Sequence, residues 1–396
     1  MAQTLVNDPG PEIAALIQSV EARLIEIRRD IHANPEIGFD THRTTASVVR
    51  ELEALGLSPK AGVGRTGVVA EIKGAAPGPC LILRADMDAL PIHEMTGLPF
   101  ASTIPGKMHA CGHDLHTAAL IGAASALKEL APRLRGTVRL VFQPAEETQD
   151  SGAAAMVADG AADGADMAIA FHNRPELPAG QVSLNRGAST ASSDEFRVVM
   201  HGKSGHAARP HAAADPIVAA AYAIAQLQTV ISREMDPAMS AVLTVGHIVG
   251  GATQNIIPDS CMFEGTVRAR TPESRDRAEA SLRRICEGVA MAQNLRAEVD
   301  YVRGAPMVLN DDRLVDVAAT ALAAQFGAAP NVQQGSSFGA EDFSFFSERM
   351  PSIQIHIGSG QPGRDDRVHN SDYQPDEACI AQSAVALTRM AVELLS

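Results

Sequence analysis

The sequence predicts an α/β protein: a mixed, largely parallel sheet flanked by helices, with a smaller α+β domain inserted. Three observations support this fold class. The chain has 396 residues, more than one hydrophobic core usually serves. Short apolar runs alternate with helix-period segments in the first part of the chain. This pattern changes to half-exposed strands near residue 189 and returns after residue 304.

In the first part, apolar residues recur at steps of three and four over 12–34 and predict a helix that ends before Pro35. Further helices are predicted over 43–55 and over the Ala-rich stretch 115–130. Strands are predicted at GVVAEI (67–72), CLILRADM (80–87), TVRLVFQP (137–144) and MAIAF (167–171). Strands that alternate with helices indicate a largely parallel sheet with both faces covered.

The middle part has the order β-α-β-β-α-β, which is typical of a ferredoxin-like domain. Its strands and helices are predicted at 194–201, 215–232, 240–249, 261–269 and 272–294. Helix and strand then return at 312–326, at 352–358 and from about 376. We therefore predict a larger domain made of residues 1–188 and 305–396, and an inserted domain of residues 189–304.

The composition, with 45% hydrophobic and 20% charged residues, is that of an ordinary soluble protein. A net charge of −14 argues against a nucleic-acid partner, which needs a basic face. No apolar stretch approaches the roughly 20 residues of a membrane span, and no signal peptide is recognisable. Five scattered cysteines do not suggest a disulfide framework. We expect a cytoplasmic protein without a membrane partner.

Residues 108–116, MHACGHDLH, concentrate three histidines, one cysteine and one aspartate. A zinc finger is excluded because no second ligand pair has finger spacing. A redox thiol would need a CxxC partner, which Cys111 lacks. A cysteine nucleophile with His113 stays open. A cysteine nucleophile gives no role to the polar motifs that end three predicted strands, RADMD, QPAEE and AFHN. The carboxyl ends of strands are where ligands bind in sheets of this type, so these motifs are expected to have a role.

A metal centre would use all of these groups. Cys111 and His113 lie two residues apart, so in an extended loop both side chains would point the same way. Glu146 and Glu147 are adjacent, so their side chains diverge; one can bind metal while the other acts as general base. One cation lowers the pKa of its water to roughly 7, and two cations about 3.5–4 Å apart can share a hydroxide.

Eight strings of the sequence, in this order, resemble those of M20-family metallopeptidases. The resemblance is to the aminoacylase-like branch, which contains hippurate hydrolases, N-acyl-amino-acid amidohydrolases and auxin-conjugate hydrolases, and it spans residues from about 20 to 396. The strings are RADMDALP (84–91), MHACGHDLH (108–116), FQPAEE (142–147), AFHN (170–173), GKSGHAARPH (202–211), TQNIIPD (253–259), GAEDFSFF (339–346) and VHNSDY (368–373).

The resemblance implies a dinuclear metal centre in the larger, catalytic domain. Glu146 would be the general base, which takes a proton from the metal-activated water and passes it to the leaving amine. Sulfur, nitrogen and oxygen ligands together admit two divalent ions of Mn, Zn, Co or Ni. The implied metal ligands are Cys111, which would bridge the ions, His113, Glu147, His172 and His369.

The implied reaction is hydrolysis of the amide bond of a small N-acyl-amino acid, which releases a carboxylic acid and a free amino acid. The acyl group could be hippurate-like, acetyl or indoleacetyl. An alternative is a carboxypeptidase or dipeptidase that uses the same centre. A non-catalytic metal-binding protein is a third interpretation, and Glu146 argues against it because metal binding alone needs no general base.

The inserted domain resembles the family's lid, which in many members also forms dimers, so a homodimer or a tetramer is expected. His206 would stabilise the tetrahedral oxyanion, in its own site or in the partner's. Asn255 would contact the substrate's carboxylate or scissile carbonyl, and Arg268 is a further candidate for the carboxylate.

The sequence departs from the wider family at one motif. Many members have His-x-Asp where this chain has Asp86-Met87-Asp88. Because the resemblance to the aminoacylase-like branch implies that His113 supplies the histidine ligand instead, we interpret Asp86 and Asp88 as carboxylates that orient ligands rather than bind metal. His109 and His116 have the same interpretation, although His116 could simply begin the helix that follows.

Overall fold

The computed structural model describes residues 8–237, 241–334 and 337–396. These residues form two compact units. The first contains residues 8–189, 309–334 and 342–396, and the second contains the described residues of 190–308 together with 337–341. The second unit is therefore inserted into the sequence of the first.

The helices are α1 (Gly10–Ala33), α2 (His42–Ala54), α3 (His113–Leu130), α4 (Gly152–Ala158), α5 (Pro216–Thr229), α6 (Pro272–Ala292), α7 (Asp312–Phe326), α8 (Ser344–Ser347) and α9 (Ala378–Leu395). The strands are β1 (Lys60–Val63), β2 (Gly67–Lys73), β3 (Ala76–Asp86), β4 (Arg135–Gln143), β5 (Met167–Pro178), β6 (Val182–Ala188), β7 (Asp194–His201), β8 (Gly205–His206), β9 (Ala241–Gly250), β10 (Ile256–Ile257), β11 (Ser260–Ala269), β12 (Arg296–Arg303), β13 (Leu309–Asn310), β14 (Asn331–Gln334) and β15 (Ser352–Gly360).

The first unit is built on a sheet in the order β1-β2-β4-β3-β5-β15-β6-β13, with β14 beside β6. Its central strands β4, β3, β5 and β15 run parallel, whereas β2 pairs antiparallel with β4 and β6 antiparallel with β15. This mixed, largely parallel sheet confirms the predicted fold class. It also brings the carboxyl ends of β3, β4 and β5 to one edge.

Apolar side chains at alternate positions of the central strands join one core with helices α1, α3 and α9. Examples are Leu81 and Leu83 on β3 and Ile169 and Phe171 on β5, all at most 2% exposed. Helix α9 is long and apolar enough to cross a membrane, but 72% of it is buried inside the structure. It is a core helix, packed against α1, α3 and α7.

The second unit contains β7-α5-β9-β11-α6-β12, the predicted β-α-β-β-α-β order. Its four-stranded antiparallel sheet has the order β12-β7-β11-β9, which is the ferredoxin-like arrangement. A separate core, which includes Phe196, Val198 and Phe263, lies between this sheet and helices α5 and α6. The second unit therefore has its own hydrophobic core, as an independent domain requires.

The two units divide the chain a few residues away from the predicted boundaries at 188 and 305. The second unit extends to residue 308 because Val308 donates its backbone N–H to Thr190 Oγ1 at 3.1 Å. Residues 337–341 also belong to it, where the N–H of Ala191 donates to the carbonyl of Gly339.

Candidate metal centre

Cys111 and His113 lie at the start of α3 rather than in the extended loop that the sequence predicted. Gly112 between them has a φ of 95°, and His113 is the first helical residue. This left-handed turn, which favours glycine, turns the thiol and the imidazole toward one point. The ligand atoms of Cys111, His113 and His172 all lie within 4.8 Å of one another.

His172 lies in the middle of β5, which continues to Pro178 and so extends beyond the AFHN motif that the sequence predicted to end this strand. Its Nδ1 donates a hydrogen bond to the carbonyl oxygen of Asn173 at 2.8 Å. Because a carbonyl only accepts, the proton of the neutral ring is on Nδ1, and Nε2 keeps its lone pair. Nε2 lies 3.5 Å from Cys111 Sγ. This is the arrangement that a metal-binding histidine commonly has.

Cys111 also belongs to a second group, in which its ligand atom lies within 4.8 Å of those of Glu147 and His369. Glu147 follows β4, and its Oε1 lies 3.2 Å from His369 Nε2. His369 has a φ of 65°, unusual for a residue other than glycine, so its backbone is held in a strained conformation. The five predicted ligands therefore form two groups of three that share the cysteine.

Glu146 and Glu147 are held by one buried carboxylate. Asp88 accepts the backbone N–H of Glu146 at 3.0 Å and that of Glu147 at 3.1 Å. The preceding Ala145 has a φ of 54°, so the turn is tight. Glu146 and Glu147 each place an oxygen 3.9 Å from His113 Nε2. Asp88 thus fixes the backbone that carries the predicted base and one predicted ligand.

Burial and neighbouring carboxylates shift the pKa values of the predicted ligands. Burial alone would lower the pKa of His113, but carboxylates, first that of Asp86, outweigh it and raise this pKa to about 10. Burial raises the pKa of the Cys111 thiol, and the charge of Glu147 raises it further. Burial lowers the pKa of His172. A divalent cation would reverse the first two effects, because it favours thiolate and neutral imidazole.

The polar atoms at this point fit a bound cation. Nε2 of His113 is buried without a hydrogen-bond partner in the described part of the chain. Buried polar groups are normally satisfied, so this atom requires another partner. Around the His113 ring converge four acidic side chains, Asp86, Asp88, Glu146 and Glu147, whose mutual repulsion a cation would offset.

His116 is held by hydrogen bonds at both ring nitrogens. A carboxylate only accepts, so Nδ1 donates to Asp86 Oδ1 at 2.5 Å, and Nε2 lies 2.7 Å from Asn173 Oδ1. This satisfied, fully buried ring braces Asp86 against the strand that carries His172. The geometry agrees with the interpretation of His116 and Asp86 as residues that orient ligands.

Beneath Asp86 lies a charged group that the sequence analysis missed. Arg84 is fully buried and donates to Asp86 Oδ2 at 2.5 Å and to Asp342 Oδ1 at 3.0 Å. Gln143 also donates to Asp342, at 2.7 Å. The available signal was an arginine inside the apolar run CLILRADM, because an arginine there must find a buried partner.

Among the described residues, His109 belongs to neither of the two candidate ligand groups. It is 1% exposed, and neither ring nitrogen has a hydrogen-bond partner among the described residues. Burial lowers its pKa to about 3, so the ring is neutral. It faces His32 of α1, with ring centroids 6.2 Å apart.

We predict that Gly112→Ala destabilises the protein by about 3 kcal/mol or more and lowers its metal content. A Cβ on Gly112 would lie 2.4 Å from Asn173 Oδ1, and the left-handed backbone adds its own strain. Urea denaturation and metal analysis would measure both effects. Gly106→Ala is the matched control, because Gly106 has a φ of 79° with nothing within 4 Å of the added Cβ. Equal losses in both variants would contradict the predicted clash.

The second unit brings together two of its three predicted site residues. His206 on β8 pairs with Ile256 of β10, next to Asn255, whose carbonyl accepts the N–H of Ala207 at 3.1 Å. Nδ1 of His206 accepts the N–H of Ala208 at 3.0 Å. Arg268 is not part of this pair. Strand β11 begins at Ser260, shortly after β10, and Arg268 lies eight residues further along it, a distance of about 27 Å at the rise of an antiparallel strand.

Two groups of three ligands that share a cysteine, with a glutamate beside them, define the class of site: a candidate dinuclear centre of a metal-dependent hydrolase. The model of Peptidase family M20/M25/M40 matches residues 82–393. The chain belongs to this family and is an amidohydrolase, as its resemblance in sequence predicted.

The alignments with relatives of this family cover nearly the whole chain. N-acetyl-L-cysteine deacetylase of Bacillus subtilis is 40% identical, over 96% of this chain and 90% of its own length. IAA-amino acid hydrolase ILR1-like 4 of Arabidopsis thaliana is 37% identical, over 94% of this chain and 86% of its own. The crystal structure of the Bacillus subtilis YXEP protein, described as a dinuclear metal-binding peptidase from the M20 family, superposes with a TM-score of 0.85. It is 36% identical and covers 96% of this chain and 99% of that one.

Proposed function

We propose that this protein hydrolyses the amide bond of N-acyl-amino acids at a dinuclear metal centre. The observation that carries the proposal is the pair of ligand groups that share Cys111, with Glu146 beside them. Relatives named as a deacetylase of N-acetyl-L-cysteine and as a hydrolase of IAA-amino acids support the N-acyl-amino acid as the substrate class. The products would be a carboxylic acid and a free amino acid.

The five ligands would divide between two divalent ions. Cys111 would bridge them, with His113 and His172 completing one set and Glu147 and His369 the other. When bound, the ions supply Lewis acidity that makes water nucleophilic near neutral pH. Mn, Zn, Co and Ni all suit this mixed ligand set.

The chain's own residues would handle the proton. Glu146 would accept a proton from the attacking water and deliver it to the nitrogen of the leaving amino acid. Its backbone is fixed by Asp88, so the carboxylate is presented from a rigid turn. His206 would donate to the oxyanion: its Nδ1 is an acceptor, so Nε2 carries the proton of the neutral ring. Asn255, beside it, would contact the substrate.

A carboxypeptidase or dipeptidase that uses the same centre is the second candidate. It is favoured by the description of the structurally similar Bacillus subtilis protein as a peptidase. The two candidates differ in whether the acyl side of the scissile amide carries a free amine.

A substrate panel with controlled metal content would separate these functions. We predict that chelator-stripped protein is inactive, and that Mn²⁺, Zn²⁺, Co²⁺ or Ni²⁺ restores hydrolysis of N-acyl-amino acids. The panel would contain N-benzoylglycine, N-acetylcysteine, another N-acetyl-amino acid, indoleacetyl-amino acids and dipeptides, with amine release as the measurement. Preference for dipeptides would support the peptidase. Full activity in the stripped protein would contradict a metal mechanism.

We further propose that two copies associate through the second unit. β9 lies at the edge of its sheet, and no described strand pairs with its outer side. Exposed apolar side chains line this strand and α5: Ile217, Val218, Tyr222, Ile248 and Val249. An exposed apolar edge of this kind is a common site of strand pairing between chains.

Sedimentation velocity of the unmodified protein is expected to give the mass of two chains, and that of the Ile248→Lys variant is expected to give the mass of one. A monomeric unmodified protein would contradict the proposal.

A further inference from the structure

A buried network of charges lies at the start of α3 and is separate from the five candidate ligands. Asp114, the residue after His113, is fully buried. Its Oδ2 lies 2.7 Å from Arg28 Nε and 2.8 Å from His32 Nδ1. Both partners belong to α1 and are at most 1% exposed. No step of the proposed reaction uses these three side chains.

The network continues from α1 to two further segments. His32 Nε2 lies 3.3 Å from a carboxylate oxygen of Glu94, in the irregular segment between β3 and α3. Arg28 also donates to Glu377 at 3.2 Å, at the residue that precedes α9. The network therefore ties the start of α3 to α1, to α9 and to the segment that carries Glu94.

The segment of Glu94 is in turn hydrogen-bonded to the segment that carries His369, the last of the predicted ligands in the sequence. The backbone N–H of Met95 donates to the carbonyl of Ser371 at 2.7 Å, two residues beyond His369. The network is thus linked to both ligand-bearing segments: Asp114 follows His113 in the chain, and the segment of Glu94 is hydrogen-bonded to the segment that carries His369.

The first turn of α3 is held on two sides, by His116 against β3 and β5 and by Asp114 against α1. Its N-cap is Gly112, which has no side chain, so no side-chain hydrogen bond caps the helix. Uncapped helix ends leave N–H groups unsatisfied and fray. Asp114 lies in this first turn, where its negative charge also suits the helix dipole. Its contacts with Arg28 and His32 connect this turn to the rigid body of α1.

We infer that Asp114 is a positioning residue: held by Arg28 and His32, it fixes the first turn of α3 and so sets the metal affinity of the group that contains Cys111 and His113. This inference rests on the metal centre of the proposed function and does not depend on its substrate. Residues that orient metal ligands commonly change metal affinity by about 10- to 100-fold when they are replaced.

The test is metal binding by the full-length Asp114→Asn variant. Titration with Zn²⁺ or Mn²⁺ against a chromophoric chelator is expected to show the site that contains His113 weakened by about 10- to 100-fold, and the site that shares only Cys111 weakened less. Asp30→Asn is the matched control on α1: Asp30 forms an exposed pair with Arg43 and should leave both affinities unchanged. Circular dichroism would establish that each variant is folded.

A merely structural role makes a different prediction. The metal-free variant would then melt at a lower temperature while both dissociation constants stayed at their normal values, and this result would overturn the inference. If Asp114→Asn does not fold, Arg28→Lys keeps the charge and changes the geometry; it should weaken the same site, and unchanged affinity would again overturn the inference. Failure of the unmodified protein to bind two ions would instead reject the proposed function.

Discussion

Glu146→Gln is expected to retain both metal ions and to lose about 10²- to 10⁴-fold in kcat. The substitution keeps the size of the side chain but removes its ability to accept a proton. The backbone contact with Asp88 uses the N–H of residue 146 and therefore survives the change. Metal analysis and steady-state kinetics on the same preparation would measure the two properties together.

The matched control for this variant is Glu176→Gln. Glu176 lies near the end of β5, its side chain is 60% exposed, and its contact with Arg174 is a loose 3.8 Å. Its replacement should leave kcat within a few-fold of normal. Near-normal turnover of Glu146→Gln would refute the assignment of the general base, and loss of an ion from that variant would identify Glu146 as a ligand instead.

Cys111→Ala is expected to lose both metal ions, whereas His172→Ala and His369→Ala should each lose one preferentially. The reason is that the thiol belongs to both ligand groups, while each histidine belongs to one. Metal content per chain, measured after gel filtration, would show the difference between the variants. Cys80→Ala is the control, because Cys80 is half-buried and belongs to neither group.

The same variant tests the cysteine nucleophile that the sequence left open. A nucleophilic cysteine needs a lowered pKa, but burial and the charge of Glu147 raise the pKa of Cys111. We therefore expect activity to follow metal content across the three ligand variants. Activity of the stripped, unmodified protein that a thiol alkylator abolishes would support the nucleophile.

The fold was predictable where one face of an element is apolar and the other is not. Helix α1 was predicted over 12–34 and is found at Gly10–Ala33. Strand β6 was missed because its sequence, VSLNRGA, turns Ser183 and Asn185 into the buried interior and so lacks an apolar period. The seven-residue helix α4 was missed because GAAAMVA is too short to show one.

The sequence indicated which residues form the candidate site, but not how these residues are arranged in space. The motifs named the five candidate ligands. The sheet explains part of their arrangement, since Glu147 follows β4 and His172 lies on β5, two residues beyond the position that pairs with Arg84 of β3. The left-handed turns at Gly112 and His369 leave no periodic pattern in a sequence. The partnership of Arg84 with Asp342, 258 residues apart, was equally invisible, because only the folded chain makes them neighbours.

The double hydrogen bond that Asp88 makes to successive backbone N–H groups has a consequence for metal exchange. Glu146 and Glu147 are attached to a turn whose shape is set by these two hydrogen bonds within the protein. Ions of different radius would then meet the same backbone, and only side-chain torsions would adjust to them. The position of the Glu146 carboxylate should therefore be the same whichever metal the cell supplies. Exchanging the ion should alter the pKa of the attacking water more than the distance over which Glu146 transfers its proton.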